Sequence, residues 1–272
     1  MVIKILKPKI SIIIAVFNGN SGDYNIKKTI NSVLNQNYEK FELIVVDGLS
    51  KDGTIEVVKK FSVKDDRIKW VSEKDRGIYD AMNKGINLSS GDYLYFLNSD
   101  DYLVDNSIFS EVVELIKLNP TSELICGGVS YFRPEGTKIN YFDSFNGFSL
   151  KRGRQPPHQG TFFKKSLFEK VGLFDINYKS SADFDFFCRC YLKKISSINF
   201  NKVVASFQRG GFSSKGDVSF IETSKIIKKY FGLFWWIYQV IVVKTKEFLK
   251  FILVKSKLIN FFYFIRKRVK FL

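Results

Sequence analysis

The sequence predicts an α/β protein built on a mostly parallel, doubly wound sheet, followed by a helical, basic and aromatic-rich C-terminal tail. Three observations predict it. Continuous β-branched apolar runs alternate with segments of helical spacing over residues 10–97. Those runs lack polar alternation, which marks strands buried on both faces, as in a parallel sheet. From about residue 216 the composition shifts to Lys, Phe, Ile and Trp, which sets a boundary near Ser213–Asp217.

Ile10–Val16 is the first buried strand, and Asn18–Asp23 is a loop. Asn25–Asn35 places Ile26, Ile30, Val33 and Leu34 at helical spacing. Phe41–Asp47 is a second buried strand ending on an acid. Ser50–Gly53 is a turn, and Thr54 is read as the cap of a helix running to about Phe61. Ile68–Val71 is a short third strand. Gly77–Leu88 fits a helix with Ile78, Ala81, Met82 and Ile86 inward, and Tyr93–Leu97 is a fourth buried strand. Right-handed crossovers between these strands give a doubly wound sheet. Further on, Ile108–Leu118 is a helix ended by Pro120, and Glu123–Phe132 a strand. Residues 133–160 are loop-rich, Thr161–Phe163 reads as a strand and Ser166–Val171 as a short helix, and Ala182–Tyr191 is a helix that starts on acids.

Composition narrows the class. Hydrophobic residues make up 45% of the 272, enough for a sizeable core. The net charge is +16, and Gly216–Leu272 carries 12 Lys/Arg against 3 Asp/Glu. Basic residues interleaved with Phe, Ile, Leu and Trp fit an anionic membrane surface. No nucleic-acid motif is present, so nucleic acid is not an expected partner. The apolar run Phe231–Val243 is 13 residues long, where a membrane span needs roughly 20. The expectation is peripheral association. Cys126, Cys188 and Cys190 lack a framework spacing, which fits a reducing compartment, and Cys188-Arg189-Cys190 lacks partners for zinc. Met1–Lys9 has no signal-peptide apolar region.

In doubly wound sheets ligands sit outside the carboxyl ends of the strands. Three polar clusters fall there: Phe17-Asn18, Asp47-Gly48 and Asn98-Ser99-Asp100-Asp101. Strand-end carboxylates suit a hard divalent cation, Mg²⁺ or Mn²⁺, able to bridge nucleotide phosphates. Taken alone, the same tetrapeptide is equally a turn or helix cap.

An ordered set of motifs then defines a resemblance. It comprises Pro8–Ile13, Thr29–Gln36, Glu42–Gly48, Ser50–Thr54, Asp75–Gly85 and Phe96–Asp101, with looser matches at Pro157-His158-Gln159 and Ala182-Asp183. Together they resemble the inverting family-2 glycosyltransferases of the A-type (nucleotide-diphospho-sugar transferase) fold, in the bacterial polysaccharide-biosynthesis subgroup. With the composition boundary, the resemblance gives a glycosyltransferase catalytic domain over residues 1–215, followed by the basic, aromatic-rich, membrane-associating tail over 216–272 that the composition predicts. It implies a nucleoside diphosphate sugar donor, UDP before dTDP or GDP, and a glycan or lipid-linked acceptor at the cytoplasmic face of the membrane. Capsule or O-antigen assembly is the usual setting.

Site roles follow from the same resemblance. Asp47 would accept a hydrogen bond from the base, with Asn18 lining the base and ribose pocket. Asp75, Asp80 and Ser99 would complete the donor site. Asp100 would hold the metal as the last acid of a DXD motif, whose first position is Asn98 here. Asp183 would be the base that deprotonates the acceptor, and His158, Gln159 and Arg209 would face acceptor or phosphate. Met82 replaces an Arg common in relatives, leaving Arg76 or Lys84 to meet the diphosphate. Two rivals carry different signatures. A nucleotidyltransferase needs a basic residue in an N-terminal glycine loop, which Phe17-Asn18-Gly19-Asn20 lacks, and a non-catalytic membrane-surface binding protein has no need of Asp47, Asp100 and Asp183 together.

Overall fold

The computed structural model describes residues 7–20, 26–133, 136–141, 145–207 and 216–255. The first half alternates as the apolar pattern requires: β1 (Ile10–Val16), α1 (Ile26–Leu34), β2 (Phe41–Asp47), α2 (Thr54–Ser62), β3 (Ile68–Ser72), α3 (Ile78–Leu88) and β4 (Tyr93–Asn98). The second half is β5 (Tyr102–Leu103), α4 (Ile108–Leu118), β6 (Leu124–Arg133), β7 (Gly136–Asn140), α5 (Gly147–Lys151), a 3₁₀ turn (His158–Gly160), β8 (Thr161–Lys164), α6 (Ser166–Val171), α7 (Ala182–Leu192) and β9 (Ser197–Phe207). Two tail helices close the chain, α8 (Gly216–Phe231) and α9 (Leu233–Lys255).

One sheet runs β3-β2-β1-β4-β8-β6-β9-β5, with β7 paired to β6. β1 lies parallel between β2 and β4, and β3 extends the parallel half. β8 then enters antiparallel to β4 and β6, so the second half is mixed. Side-chain alternation splits the core in two. Ile10, Ile12, Ile14 and Val16 meet α1, α2 and α4 on one face. Ile13 and Ala15 meet α3, α6, α7 and α8 on the other. Both faces are covered, which is why β1 and β2 read as unbroken apolar runs.

Three local readings change. Thr54 is the first helical residue of α2; Gly53 holds the cap position with φ 85°, and Asp52 Oδ1 accepts from Thr54 N at 3.1 Å. Ile78 lies 36% exposed, and Tyr79 is buried in its place. The loop-rich stretch after residue 133 contains β7, α5 and the 3₁₀ turn. The three cysteines are buried and unpaired.

α8 belongs to the second core, with Ile226 and Ile227 fully buried there. α9 leaves Leu233, Phe234, Ile237 and Ile241 exposed. These are one helical face by spacing. Among the described residues no helix is long and apolar enough to cross a membrane.

Candidate functional site

Register fixes which strand ends meet. Val16 sits opposite Asp47, and Ala15 opposite Asn98. The ends of β2 and β4 therefore flank the end of β1. Asn18 takes φ 52°, its N–H donates to Ser50 Oγ at 2.8 Å, and its Oδ1 accepts from Lys51 N at 3.0 Å. A Cβ at Gly19 would stand 3.2 Å from Ser99 Oγ, so the loop after β1 lies directly against the turn after β4. Thr29 Oγ1 donates to the Ser99 carbonyl at 2.8 Å, tying that turn to α1.

The acids of this crevice differ in what they face. Asp47 has no exposed surface; it accepts from Ser50 N at 3.1 Å, from Ser50 Oγ, and from Ser72 Oγ at 2.6 Å. Its carboxylate thus joins the ends of β2 and β3. Asp75 accepts from Gly77 N at 2.9 Å and leans over Gly48. Asp80, in the first turn of α3, accepts from Arg76 N at 3.0 Å and pairs with the Arg76 guanidinium at 3.4 Å. Lys84 is engaged by Glu73 at 2.9 Å, which leaves the exposed Arg76 as the freer cation at this edge.

In the acidic turn, Asn98 Nδ2 donates to Asp101 Oδ2 at 2.9 Å, and Asp101 is fully buried. Those two side chains brace the turn. Asp100 is different: burial pushes its carboxyl above the ordinary value, only partly offset by its own backbone N–H. No cation pairs with it among the described residues. Such a group is what a divalent ion would relieve. Among the described residues no three His, Cys, Asp or Glu side chains cluster as a ready-made metal cage. A divalent ion held by Asp100 would need most of its oxygens from outside the protein, as Mg²⁺ commonly does.

Asp183 opens α7 across the crevice. Its Oδ1 accepts from Tyr79 Oη at 3.0 Å and from Phe184 N at 2.9 Å, and its Oδ2 accepts from Gln155 Nε2 at 2.6 Å. Burial and the Asp183 charge push the Tyr79 phenol well above its usual range, so it remains a donor. His158 is buried and stacks on Phe96, with ring centroids 5.1 Å apart. Burial pushes its imidazole down, against the pull of Asp183, so the ring is neutral at pH 7. Among the described residues, its Nε2 and Gln155 Oε1 are buried without hydrogen-bond partners. Buried orphan polar atoms are rare and point to a ligand or water. The Gln159 carbonyl accepts from Tyr95 Oη at 2.6 Å. Arg209 lies outside the described residues.

The segment before Asp183 is anchored from the tail. Glu222 of α8 accepts from Lys179 N at 2.8 Å and Ser180 N at 2.9 Å. Ser181 Oγ contacts Ser219 O and Thr223 Oγ1 at 3.3 and 3.2 Å. Asp185, one turn into α7, is buried between Arg189 (2.7 Å), Lys229 (3.5 Å) and Tyr230 Oη (2.8 Å). Sequence reasoning missed Tyr79, Gln155 and Glu222. Tyr79 lies inside the Asp75–Gly85 motif and Gln155 three residues before His158, while Glu222 has no such neighbours; only the tertiary fold brings all three to the start of α7.

This arrangement has counterparts. The model of glycosyl transferase family 2 matches residues 11–185. The chain is 31% identical over 210 residues to a PGL/p-HBAD biosynthesis glycosyltransferase of Mycobacterium bovis, covering 76% of this chain and 80% of that one. In fold it matches S. aureus TarS 1–349 in complex with UDP-GlcNAc, with TM-score 0.65 and 20% identity over 80% of this chain. It also matches the Pyrobaculum calidifontis mannosyltransferase PcManGT in complex with GDP-Man and Mn²⁺, with TM-score 0.62 and 19% identity over 83%. The chain spans 64% of the length of each of these two structures.

Proposed function

The chain belongs to glycosyl transferase family 2, and from that premise we propose that it moves one sugar, with inversion, from a nucleoside diphosphate donor to a glycan or lipid-linked acceptor. The observation that carries this reading is the held carboxylate of Asp183. A carboxylate offers about four acceptor positions. Oδ1 has two donors and Oδ2 one, which leaves Oδ2 for an incoming hydroxyl.

The acceptor O–H gives its proton to Asp183 Oδ2 as its oxygen bonds to the anomeric carbon. The bond from that carbon to the phosphate oxygen breaks, and its electrons leave with the nucleoside diphosphate. Gln155 and His158 meet acceptor hydroxyls through their orphan atoms. The donor lies at the ends of β1, β2 and β4, where UDP, dTDP and GDP are the expected carriers and Asn18, Asp47, Asp75, Asp80, Asn98 and Ser99 shape the pocket. Asp100 would hold Mg²⁺ or Mn²⁺, which offsets the diphosphate charge when bound. Two solved proteins of like fold support this donor class, one bound to UDP-GlcNAc and one to GDP-Man with Mn²⁺.

The tail supports a peripheral position on an anionic membrane, at its cytoplasmic face. The exposed stripe of α9 continues onto Phe148 of α5, whose ring meets Trp235 at 6.2 Å. Lys151 lies over Trp235 at 5.3 Å and Arg152 over Phe148 at 5.2 Å. Apolar rings edged by cations suit an interface of headgroups and acyl chains. That setting favours a lipid-linked acceptor in cell-surface polysaccharide assembly, such as capsule or O-antigen.

The test is metal-dependent turnover of nucleotide-sugars by the full chain. Asp100→Ala should abolish it, and Asp183→Asn should reduce transfer by about 10²-fold or more. Full transfer activity in Asp183→Asn would remove this base from the mechanism.

A further inference from the structure

Base recognition by the acid at the end of β2 is hard to reconcile with how that acid is used. Asp47 has no exposed surface and three donors from its own chain. The next residue is Gly48, and the space a side chain would fill there is already occupied. A Cβ on Gly48 would lie 2.5 Å from Asp75 Oδ2 and 3.5 Å from Phe17 Cδ2. Asp75 Oδ1 is anchored by Gly77 N at 2.9 Å, while Oδ2 has no hydrogen bond among the described residues. Phe17, at the end of β1, is 66% exposed. A large apolar ring left open at a strand end, beside an unpartnered carboxylate oxygen, is a surface built for a flat ligand with a donor on its edge.

We infer that Asp75, not Asp47, reads the nucleobase: Oδ2 accepts the imino N–H of the base, and the Phe17 ring stacks against its face. The inference rests on the nucleoside-diphosphate donor reading above and adds which residue sets base specificity. Uracil, thymine and guanine present an imino N–H at the edge in question. Cytosine and adenine present a lone pair there, which a carboxylate repels. Gly48 makes the substitution of one acid for another possible, because any side chain at that position would push Asp75 out of place. Asp47 keeps a positioning role, locking β2 to β3 beneath the base.

The experiment is isothermal titration of the full chain, with Mn²⁺ present, using UDP, N3-methyl-UDP, dTDP and CDP. GDP and N1-methyl-GDP serve as the second pair. The wild type should prefer the unmethylated nucleotide by about tenfold or more, the range of a hydrogen bond to a charged group. Asp75→Ala and Asp75→Asn should both bind it more weakly and lose that preference; an amide cannot accept from Gly77 N and the imino group at once. Gly48→Ala should shift affinity the same way by displacing Asp75. Asp47→Asn should lower the melting temperature and retain the preference. Equal wild-type binding of methylated and unmethylated nucleotides would overturn the inference, as would a preference that survives in Asp75→Ala and vanishes in Asp47→Asn. Binding of none of UDP, dTDP or GDP would instead sink the donor reading itself, and this inference with it.

Discussion

Tyr79 and Asp183 are 104 residues apart in sequence and joined by a 3.0 Å hydrogen bond. Through it, α3 orients the carboxylate at the start of α7. Tyr79→Phe removes one of the three donors that orient the Asp183 carboxylate. Its kcat should fall by about tenfold at neutral pH. Turnover of both proteins at saturating donor checks this, and an unchanged kcat would leave Tyr79 as packing alone.

Glu222 reaches back from α8 to cap two consecutive N–H groups before Asp183, 43 and 42 residues away. Glu222→Ala should lower kcat several-fold while leaving UDP affinity unchanged, because its bonds go to Lys179 and Ser180 ahead of Asp183 and not to the ends of β1, β2 and β4. Steady-state kinetics beside nucleotide titration separates the two. A loss in nucleotide affinity of equal size would show general destabilisation instead.

At the opposite end of the sheet, Glu42 is buried and tied to Lys9 and Lys69 at 3.0 and 2.9 Å and to Ser11 Oγ at 2.6 Å. Burial alone would raise its pKa, but the hydrogen bonds from Ser11, Lys69, Ser90 and Lys9 outweigh that and hold it well below the ordinary 4.5. A depressed folded-state pKa adds stability above the unfolded value, and that stability fades as pH falls through the folded value. Glu42→Gln should cost about 2 kcal/mol at pH 7, and its deficit should shrink below pH 4.5. Thermal melts from about pH 3 to about pH 7 test the sign.

The α5–α9 face makes a separate prediction. Full-length protein should sediment with anionic vesicles, less so with neutral ones, and less at high salt. Phe148→Ser with Phe234→Ser should weaken sedimentation by about tenfold or more and leave soluble-acceptor turnover intact. Binding that ignores both substitutions would move the contact elsewhere on the tail.

What the sequence conveyed follows from where periodicity is strict. Ile10–Val16 and Phe41–Asp47 emerged with the bounds the structure has, because strands buried on both faces admit little but apolar residues. Helix phase was less secure. Ile78 and Tyr79 are both apolar enough to face inward, and Tyr79 does so with its hydroxyl on Asp183 and its ring 5.8 Å from Phe174. Gln155 sits in a proline-flanked loop with no period to read. The mixed half of the sheet was hidden for a related reason: β8 is four residues long, and whether it runs with or against β4 depends on partners distant in sequence.

The fully buried carboxylate of Asp47 has a kinetic corollary. Ser50 and Ser72 fasten the ends of β2 and β3 to one another without any help from a nucleotide. This part of the crevice is preorganised, so its ordering entropy is met during folding rather than at the encounter. For a nucleotide bound there as proposed above, association is rigid-body docking, and the observed rate in a stopped-flow trace should rise linearly with nucleotide concentration, with no plateau from a slow rearrangement.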